Sequence, residues 1–377
     1  MVPTEEQRLI RETARAFAAD RITPFAAEWE QAGAFSPELF REMGELGLMG
    51  MTVPEEWGGV GADYISYAMA LEEISYGDGA LGIVMSGHNS VGCMPLLEYG
   101  TEDQKRTWLP RMARGEVLTA FALTEPGGGS DAGSLRCRAV RDGDSYVLNG
   151  AKAFITSGKT ADVTLVIAST DPAAGKRVIS AFLVPTDAPG YRVVRVEKKL
   201  GQNASDTCQI ALDDVRVPAD ARLGDEGQGY RIALGNLEGG RIGIAAQGVG
   251  IARAALEAAL SYAQEREAFG NPIFERQAVA FRLAEMATRI EAARQLTWHA
   301  AALRSAGERC LKEASMAKMM ATDMAEEVCS AALQTFGGYG FLQDFPVERF
   351  YRAARGARIY EGTNDIQKLV IAREIVR

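Results

Sequence analysis

The stretch RIYEGTNDIQ, Arg358 to Gln367, sets one carboxylate, Glu361, between a tyrosine and a Gly-Thr-Asn turn. A carboxylate so placed can act as a general base, or it can simply sit where a helix start favours negative charge. The local pattern points to the second use. Asn364 with Gln367 three residues on fits a capping box ahead of Ile366, Leu369 and Val370. With only two histidines, any acid–base chemistry is expected of a carboxylate. The two histidines, His88 and His299, share no metal-ligand spacing, so neither a histidine triad nor a metal site is expected. Five scattered cysteines, none in a C-x-x-C pair, read as buried reduced thiols in a reducing compartment.

Other stretches are built to hold a ligand. FALTEPGGGSDAGSLRCRA, Phe121 to Ala139, runs from a short apolar segment into three successive glycines, then Ser130 and Asp131. Without Cβ atoms such a loop can bring backbone N–H groups close to an anion or a ring edge, the alternative being a flexible linker. Glu238 and Arg241 in LEGGRIGIAAQ fall on one helix face, where a surface ion pair is the plain alternative. Arg266, Phe269, Arg276 and Gln277 surround a Gly-Asn-Pro turn between two helices. Gln334, Gly337 and Gly338 lie in QTFGGYGF, where a helix would end. The usual nucleotide signatures fail. Gly248 to Arg253, GVGIAR, lacks the third glycine of a dinucleotide fingerprint and lies in a helical pattern, so Gly248 and Gly250 read as helix-packing positions. AAGKRV, 173–178, lacks the first glycine and the hydroxyl of a P-loop.

The elements that must position these residues change character twice. Residues 1–120 read as helical, 121–226 as short β-rich runs, and 227–377 as long Ala-rich helices. Strands without intervening helices suggest an antiparallel sheet or barrel, with Asn149-Gly150 as a two-residue hairpin turn. The long helices read as an antiparallel bundle. A net charge of −9 argues against nucleic acid or an anionic membrane as partner. With no apolar run long enough for a membrane span and no leader-like N-terminus, a cytoplasmic protein is expected.

Taken in order, LTEPGGGSDAG, GAKAFITSG, GGRIGIAAQ, REAFGNPI, QTFGGYGF and RIYEGTNDIQ resemble the acyl-CoA dehydrogenase family of flavoproteins, along essentially the whole chain. The resemblance implies an α+β fold: an N-terminal helical domain (1–120), a central antiparallel β-barrel (121–226) and a C-terminal four-helix bundle (227–377). It implies FAD as cofactor, an acyl-CoA thioester as substrate, an electron-transferring flavoprotein as acceptor and a homotetramer built as a dimer of dimers. Phe121, Leu123, Thr124, Gly129 and Ser130 look like the loop lining the flavin, with Ser130 also touching CoA. Phe154, Ile155 and Thr156 look like a second wall of the isoalloxazine site. Arg266, Phe269, Arg276, Gln277, Gln334, Gly337 and Gly338 look like contacts to FAD pyrophosphate and adenosine, partly across a subunit boundary. Thr363 and Asp365 resemble the last FAD contacts, and Glu238 and Arg241 groups facing the CoA end. Glu361 falls at the family's base position, and Gly362 would let the backbone approach the thioester. Some members carry the base immediately before the arginine of GGR, which here is Gly240. The HNS and GGRIGIAAQ context resembles the short- and branched-chain part of the family. The expected reaction forms a trans-2-enoyl-CoA. The alternatives are an acyl-CoA oxidase and a non-catalytic acyl-CoA- or flavin-binding paralogue.

Overall fold

The computed structural model describes residues 1–171 and 178–376, so nearly all of the AAGKRV stretch lies outside the described residues. Seven helices come first: α1 (Glu5–Phe17), α2 (Ala26–Ala32), α3 (Leu39–Glu45), α4 (Tyr64–Gly77), α5 (Gly79–Gly87), α6 (Met94–Tyr99) and α7 (Glu102–Ala113). Capping boxes start α1 (Thr4 with Gln7) and α7 (Thr101 with Gln104), each satisfying two otherwise orphaned backbone donors. Helices α4 and α5 are buried on nearly all sides, in keeping with their largely apolar sequences. Helix α5 widens into a π-helical turn, His88–Cys93.

Eight strands follow: β1 (Thr119–Ala122), β2 (Arg138–Asp142), β3 (Ser145–Thr156), β4 (Val163–Ser169), β5 (Ile179–Pro185), β6 (Tyr191–Val196), β7 (Thr207–Pro218) and β8 (Arg222–Leu223). They form one sheet ordered β6-β7-β3-β2-β4-β5-β8, with β1 added alongside β4. The expected antiparallel barrel is corrected on two counts. The edges β6 and β8 do not pair with each other, so the sheet is open, and β1 runs parallel to β4, so it is mixed. The four residues of β1 are too few to show a strand pattern, which is why the parallel pair escaped the sequence reading. Asn149-Gly150 is not a hairpin turn either. Strand β3 runs straight through it with a register shift against β7. The Asn149 amide instead exchanges two hydrogen bonds of 2.9 Å with the side chain and backbone N–H of Asp214. Gly150 is needed because a Cβ there would sit 2.8 Å from the Cys137 backbone.

The remaining helices are α8 (Gly229–Gly235), α9 (Leu237–Glu265), α10 (Gln277–Ser305), α11 (Leu311–Phe336), α12 (Val347–Ala357) and α13 (Asn364–Ile375), with a small hairpin, β9 (Glu267–Ala268) and β10 (Asn271–Pro272), between α9 and α10. Only α9, α10 and α11 are long; α12 and α13 lie against α11, while α4 packs along α9. Residues from both ends of the chain therefore share one core, with Met43, Tyr67 and Leu71 meeting Ile242, Val249, Trp298 and Met324. Gly248 and Gly250 make that contact possible. A Cβ at either would lie 2.9 Å from the Ala321 carbonyl oxygen or 2.3 Å from that of Glu72, so both are packing positions, as expected. At the same crossing a buried ion cluster joins Glu72 and Glu73 of α4 to Arg11, Arg253 and Arg294. The two faces of the sheet bury separate cores, one built from the sheet's own residues and one shared with helices. Ile155, Phe182 and Ile210 form one core, and Leu165, Ile167 and Leu183 pack with Leu96, Leu109 and Ile232 in another.

Candidate active site

Between α12 and α13 the chain makes a turn in which Glu361 (φ +52°) and Gly362 (φ +83°) are both left-handed. Glycine adopts this freely, whereas for glutamate it is strained and has to be held by its surroundings. Several side chains hold it. Gln367 Nε2 donates to the carbonyls of Glu361 (3.2 Å) and Gly362 (2.8 Å). Lys318 Nζ, from the middle of α11, donates to the Gly362 carbonyl and to Asn364 Oδ1, each at 2.9 Å. The Tyr360 hydroxyl donates to Gln247 Oε1 and accepts from Gln202 Nε2, both at 2.9 Å. The capping box expected at Asn364 is corrected. The N-cap is Thr363, whose hydroxyl accepts from the Ile366 N–H, and Asn364 turns inward to Thr322 (3.0 Å) and Asp323 (2.8 Å) on α11.

This turn aims the Glu361 carboxyl at α9. A Cβ built on Gly240 would lie 3.0 Å from Glu361 Oε2, so a side chain at either position would address the same point. Burial raises the pKa of the Glu361 carboxyl above the usual carboxylate range, while the charges of Arg241 and Lys318 pull it back. Arg241 is buried, donates to Ser315 Oγ at 3.2 Å and leaves its Nε without a partner among the described residues. Lys318 is fully buried and its amine is pushed down to about 7, chiefly by desolvation. The Glu361 N–H donates to no acceptor among the described residues. One turn further along α9 the space closes. A Cβ on Gly243 would meet Ser86 Oγ at 2.2 Å, the Tyr67 hydroxyl at 2.7 Å and Leu71 at 3.2 Å.

The glycine loop is an ordered structure with a buried anchor. The Lys152 ammonium of β3 donates to the Leu123 carbonyl (3.1 Å), the Ile167 carbonyl (2.7 Å) and Glu125 Oε1 (2.9 Å). The Glu125 carboxylate also accepts the N–H groups of Arg136 (2.7 Å) and Cys137 (3.0 Å), on the far side of the glycines. Phe121, Leu123 and Thr124 are thereby half-buried beside a loop whose Gly129 packs on Thr124 and whose Ser130 is exposed. The Thr124 carbonyl accepts from the Ala153 N–H at 2.9 Å, which sets Phe154 next to this loop. Phe154 is left-handed and 66 % exposed, while Ile155 turns into the sheet core and Thr156 is half-buried. Ile155 therefore offers this surface only its backbone.

The third group sits at the far end of α11. Arg266 stacks over Tyr339 at 5.5 Å, joining the REAFG turn to the GGYGF turn. Arg276 lies over Phe269 and bonds to the carbonyls of Ala268 and Phe269. Gln277, Gln334, Gly337 and Gly338 are exposed, Phe269 is 95 % and Phe341 90 % exposed, and a Cβ on Gly337 or Gly338 would meet nothing. At 1.5 Å per residue, Gln334 is roughly 24 Å along α11 from Lys318, so this group is remote from Glu361. Glu238 and Arg241, expected together, have separate partners. Glu238 is half-buried and pairs with Arg304 at 3.3 Å. Thr363 is half-buried beside the Glu361 turn, and Asp365 is exposed. Lys318, Glu125, Lys152, Tyr67 and Ser86 were missed by the sequence reading.

The fold agrees with comparison to known proteins. Three family models, described as the N-terminal, middle and C-terminal domains of acyl-CoA dehydrogenase, match residues 4–116, 120–215 and 227–376. The chain belongs to the acyl-CoA dehydrogenase family of oxidoreductases. An acyl-CoA dehydrogenase of Bacillus subtilis (strain 168) is 49 % identical over 99 % of this chain and 98 % of the relative. The mitochondrial short-chain specific acyl-CoA dehydrogenase of Bos taurus is 45 % identical over 99 % of this chain and 90 % of the relative. Butyryl-CoA dehydrogenase of Megasphaera elsdenii superposes with a TM-score of 0.97 at 39 % identity, covering all of both chains.

Proposed function

We propose that this protein dehydrogenates short-chain acyl-CoA thioesters to trans-2-enoyl-CoA, with Glu361 removing the α-proton. The observation that carries the reading is the strained turn that delivers the Glu361 carboxyl to Gly240, next to a space floored by Tyr67, Ser86 and Gly243. A thioester α-proton is weakly acidic, so it needs a fixed base and a donor to the developing enolate oxygen. The free N–H of Glu361 is suited to that oxygen, and the left-handed Gly362 leaves the backbone open to the thioester. Burial raises the pKa of this carboxyl and so strengthens it as a base, while Arg241 and Lys318 favour its ionised form. The floor one helical turn from Gly240 favours acyl groups of few carbons, in keeping with the short-chain and butyryl names of the relatives.

The residues present fit FAD. Phe121, Thr124 and Phe154 offer a half-exposed surface beside a glycine loop with room where Cβ atoms would be, and Arg266, Arg276, Gln277 and Gln334 to Gly338 offer donors suited to a dinucleotide. When bound, the flavin supplies the hydride acceptor for the β-hydrogen. The distance of the second group from Glu361 and the exposure of Phe269 and Phe341 support completion of each site by a second copy, hence a dimer-based tetramer. Electrons then pass to an electron-transferring flavoprotein, in fatty-acid β-oxidation in the cytoplasm.

The test is an anaerobic visible spectrum of the purified protein before and after short, branched and medium acyl-CoAs. A flavin band that bleaches with the short ones, and in Glu361→Gln persists while turnover falls by about 10²–10⁴-fold, is the expected result. A colourless protein that takes up no added FAD, or a Glu361→Gln variant with near-normal turnover, would overturn the reading.

A further inference from the structure

Lys318 has no place in the chemistry so far, yet it is the one ammonium inserted beneath the base. It is fully buried in α11, on a face shared with Ala314, Ser315, Ala321, Thr322 and Ala325. A lysine on a buried helix face is costly unless its head is well used. Here the head reaches the turn from below and donates to the Gly362 carbonyl and to Asn364 Oδ1. Asn364 is in turn tied to Thr322 and Asp323 on the same helix. The strained peptide after Glu361 is thus fastened to α11 directly and through Asn364. No carboxylate lies within ion-pair distance of the Lys318 ammonium among the described residues.

We propose that Lys318 is the positioning residue of the base. It fixes the left-handed Glu361-Gly362 turn through the Gly362 carbonyl and Asn364, and its charge favours the ionised Glu361 carboxylate. This rests on the assignment of Glu361 as base.

The electrostatic surroundings agree with the geometry. The charged groups felt by Lys318 are Glu361 from the turn, Arg241 from α9, Asp323 from α11 and Arg358 from the end of α12. Glu361 feels Arg241 and Lys318 as cations, and the hydroxyls of Tyr67 and Tyr360 feel its charge in return. With its amine at about 7, Lys318 is half protonated near neutral pH. An amine keeps two N–H groups after losing a proton, so both anchoring bonds survive that loss while the charge does not. Anchoring and charge can therefore be separated by experiment.

The experiment uses flavin-loaded Lys318→Met and Lys318→Arg enzymes, with two readouts. The first is the pH profile of kcat and KM for a short acyl-CoA. The second is amide hydrogen exchange, by mass spectrometry, of a peptide spanning residues 358–367, which needs no turnover. In Lys318→Met, kcat falls by about 10- to 100-fold with KM little changed. The acidic limb of the profile moves up by about one unit, because removing a nearby cation raises a carboxyl pKa. Exchange in the 358–367 peptide quickens by roughly tenfold as the turn loses its anchor. Lys318→Arg keeps the charge with a different reach, so its acidic limb returns to that of the parent while kcat stays below it. An acidic limb that does not move in Lys318→Met, or exchange that does not change, overturns the proposal. If Lys318→Met does not fold, an arginine enzyme with parental kcat and parental exchange overturns it. Retained turnover in Glu361→Gln would instead remove the base itself and leave the exchange result standing, so the two failures are distinguishable.

Discussion

Two buried lysines each fasten a loop at this site, and they do so in opposite electrostatic settings. Lys152, beneath the glycine loop, has the Glu125 carboxylate at 2.9 Å and two carbonyls as further acceptors. Its charge is matched, and the carboxylate that matches it also grips the far side of the loop. Lys318, beneath the Glu361 turn, meets only a carbonyl and an amide oxygen, and burial pushes its amine down to about 7. The first arrangement serves a surface that has only to stay still. The second leaves a charge under-compensated next to the carboxyl proposed as the base. Pairing gives rigidity, and withholding the pair gives a group that responds to pH.

This contrast can be broken most severely at Lys152. Lys152→Met leaves Glu125 buried without its cation and should cost about 3–5 kcal/mol in urea unfolding, with loss of flavin retention. Lys152→Met combined with Glu125→Leu should recover much of that. A single variant as mild as a surface change would break the contrast. A third buried titratable group, His88, sharpens it. Its Nε2 faces the Met112 carbonyl at 3.1 Å and so carries the hydrogen, while Nδ1 accepts from the Thr119 N–H at 3.3 Å. Burial holds it down to about 4, against 6.5 when unfolded. Above pH 6.5 both states are neutral. As pH falls from 6.5 to 4 the unfolded chain takes up a proton that the folded protein refuses, so stability drops by up to roughly 3 kcal/mol. Unfolding free energies measured between pH 7.5 and 4.5 should show that slope, and His88→Gln should flatten it.

Smaller effects follow at Gly240 and at the surface. Gly240→Ala puts a methyl 3.0 Å from the Glu361 carboxylate, and should lower kcat by about tenfold while changing stability by less than about 1 kcal/mol. A variant with parental kcat would show that the carboxylate is not held at that point. Arg216 and Asp142 form an ion pair at 2.6 Å in which both side chains are more than half exposed. Arg216→Ala should change the unfolding free energy from urea titration by no more than about 0.5 kcal/mol, the reference against which a buried lysine is judged.

The sequence made the α–β–α order legible because periods of 3.6 and 2 residues and their change near the two boundaries are local properties. It made the residues around Glu361, the glycine loop and the REAFG and GGYGF turns legible as motifs. It did not reveal how the strands close, because β1 is too short to show a period and its parallel partner, β4, begins more than forty residues later. Asn149-Gly150 misled because the dipeptide chemistry of a turn also suits a bulge, and only Asp214 across the ladder decides between them. Asn364 misled in the same way, since a side chain able to cap a helix can equally bond to a neighbouring helix. The anchoring lysines were overlooked as ordinary charges. For Lys318 a signal did exist, a lone cation on a face of small residues at helical spacing, and it is the kind of position where a charge needs an explanation.

The geometry at Gly240 bears on how such a protein can change over generations. Two positions more than a hundred residues apart in the chain converge on one point in space. A glutamate appearing at 240 would find that point already occupied, and the loss of Glu361 would leave it empty. Order therefore matters, since a lineage that gained the second carboxylate before losing the first would pass through a crowded intermediate with two like charges. A lineage that lost the first before gaining the second would pass through one with no carboxylate at that point. The fold keeps one location for a carboxylate while leaving open which segment of the chain supplies it.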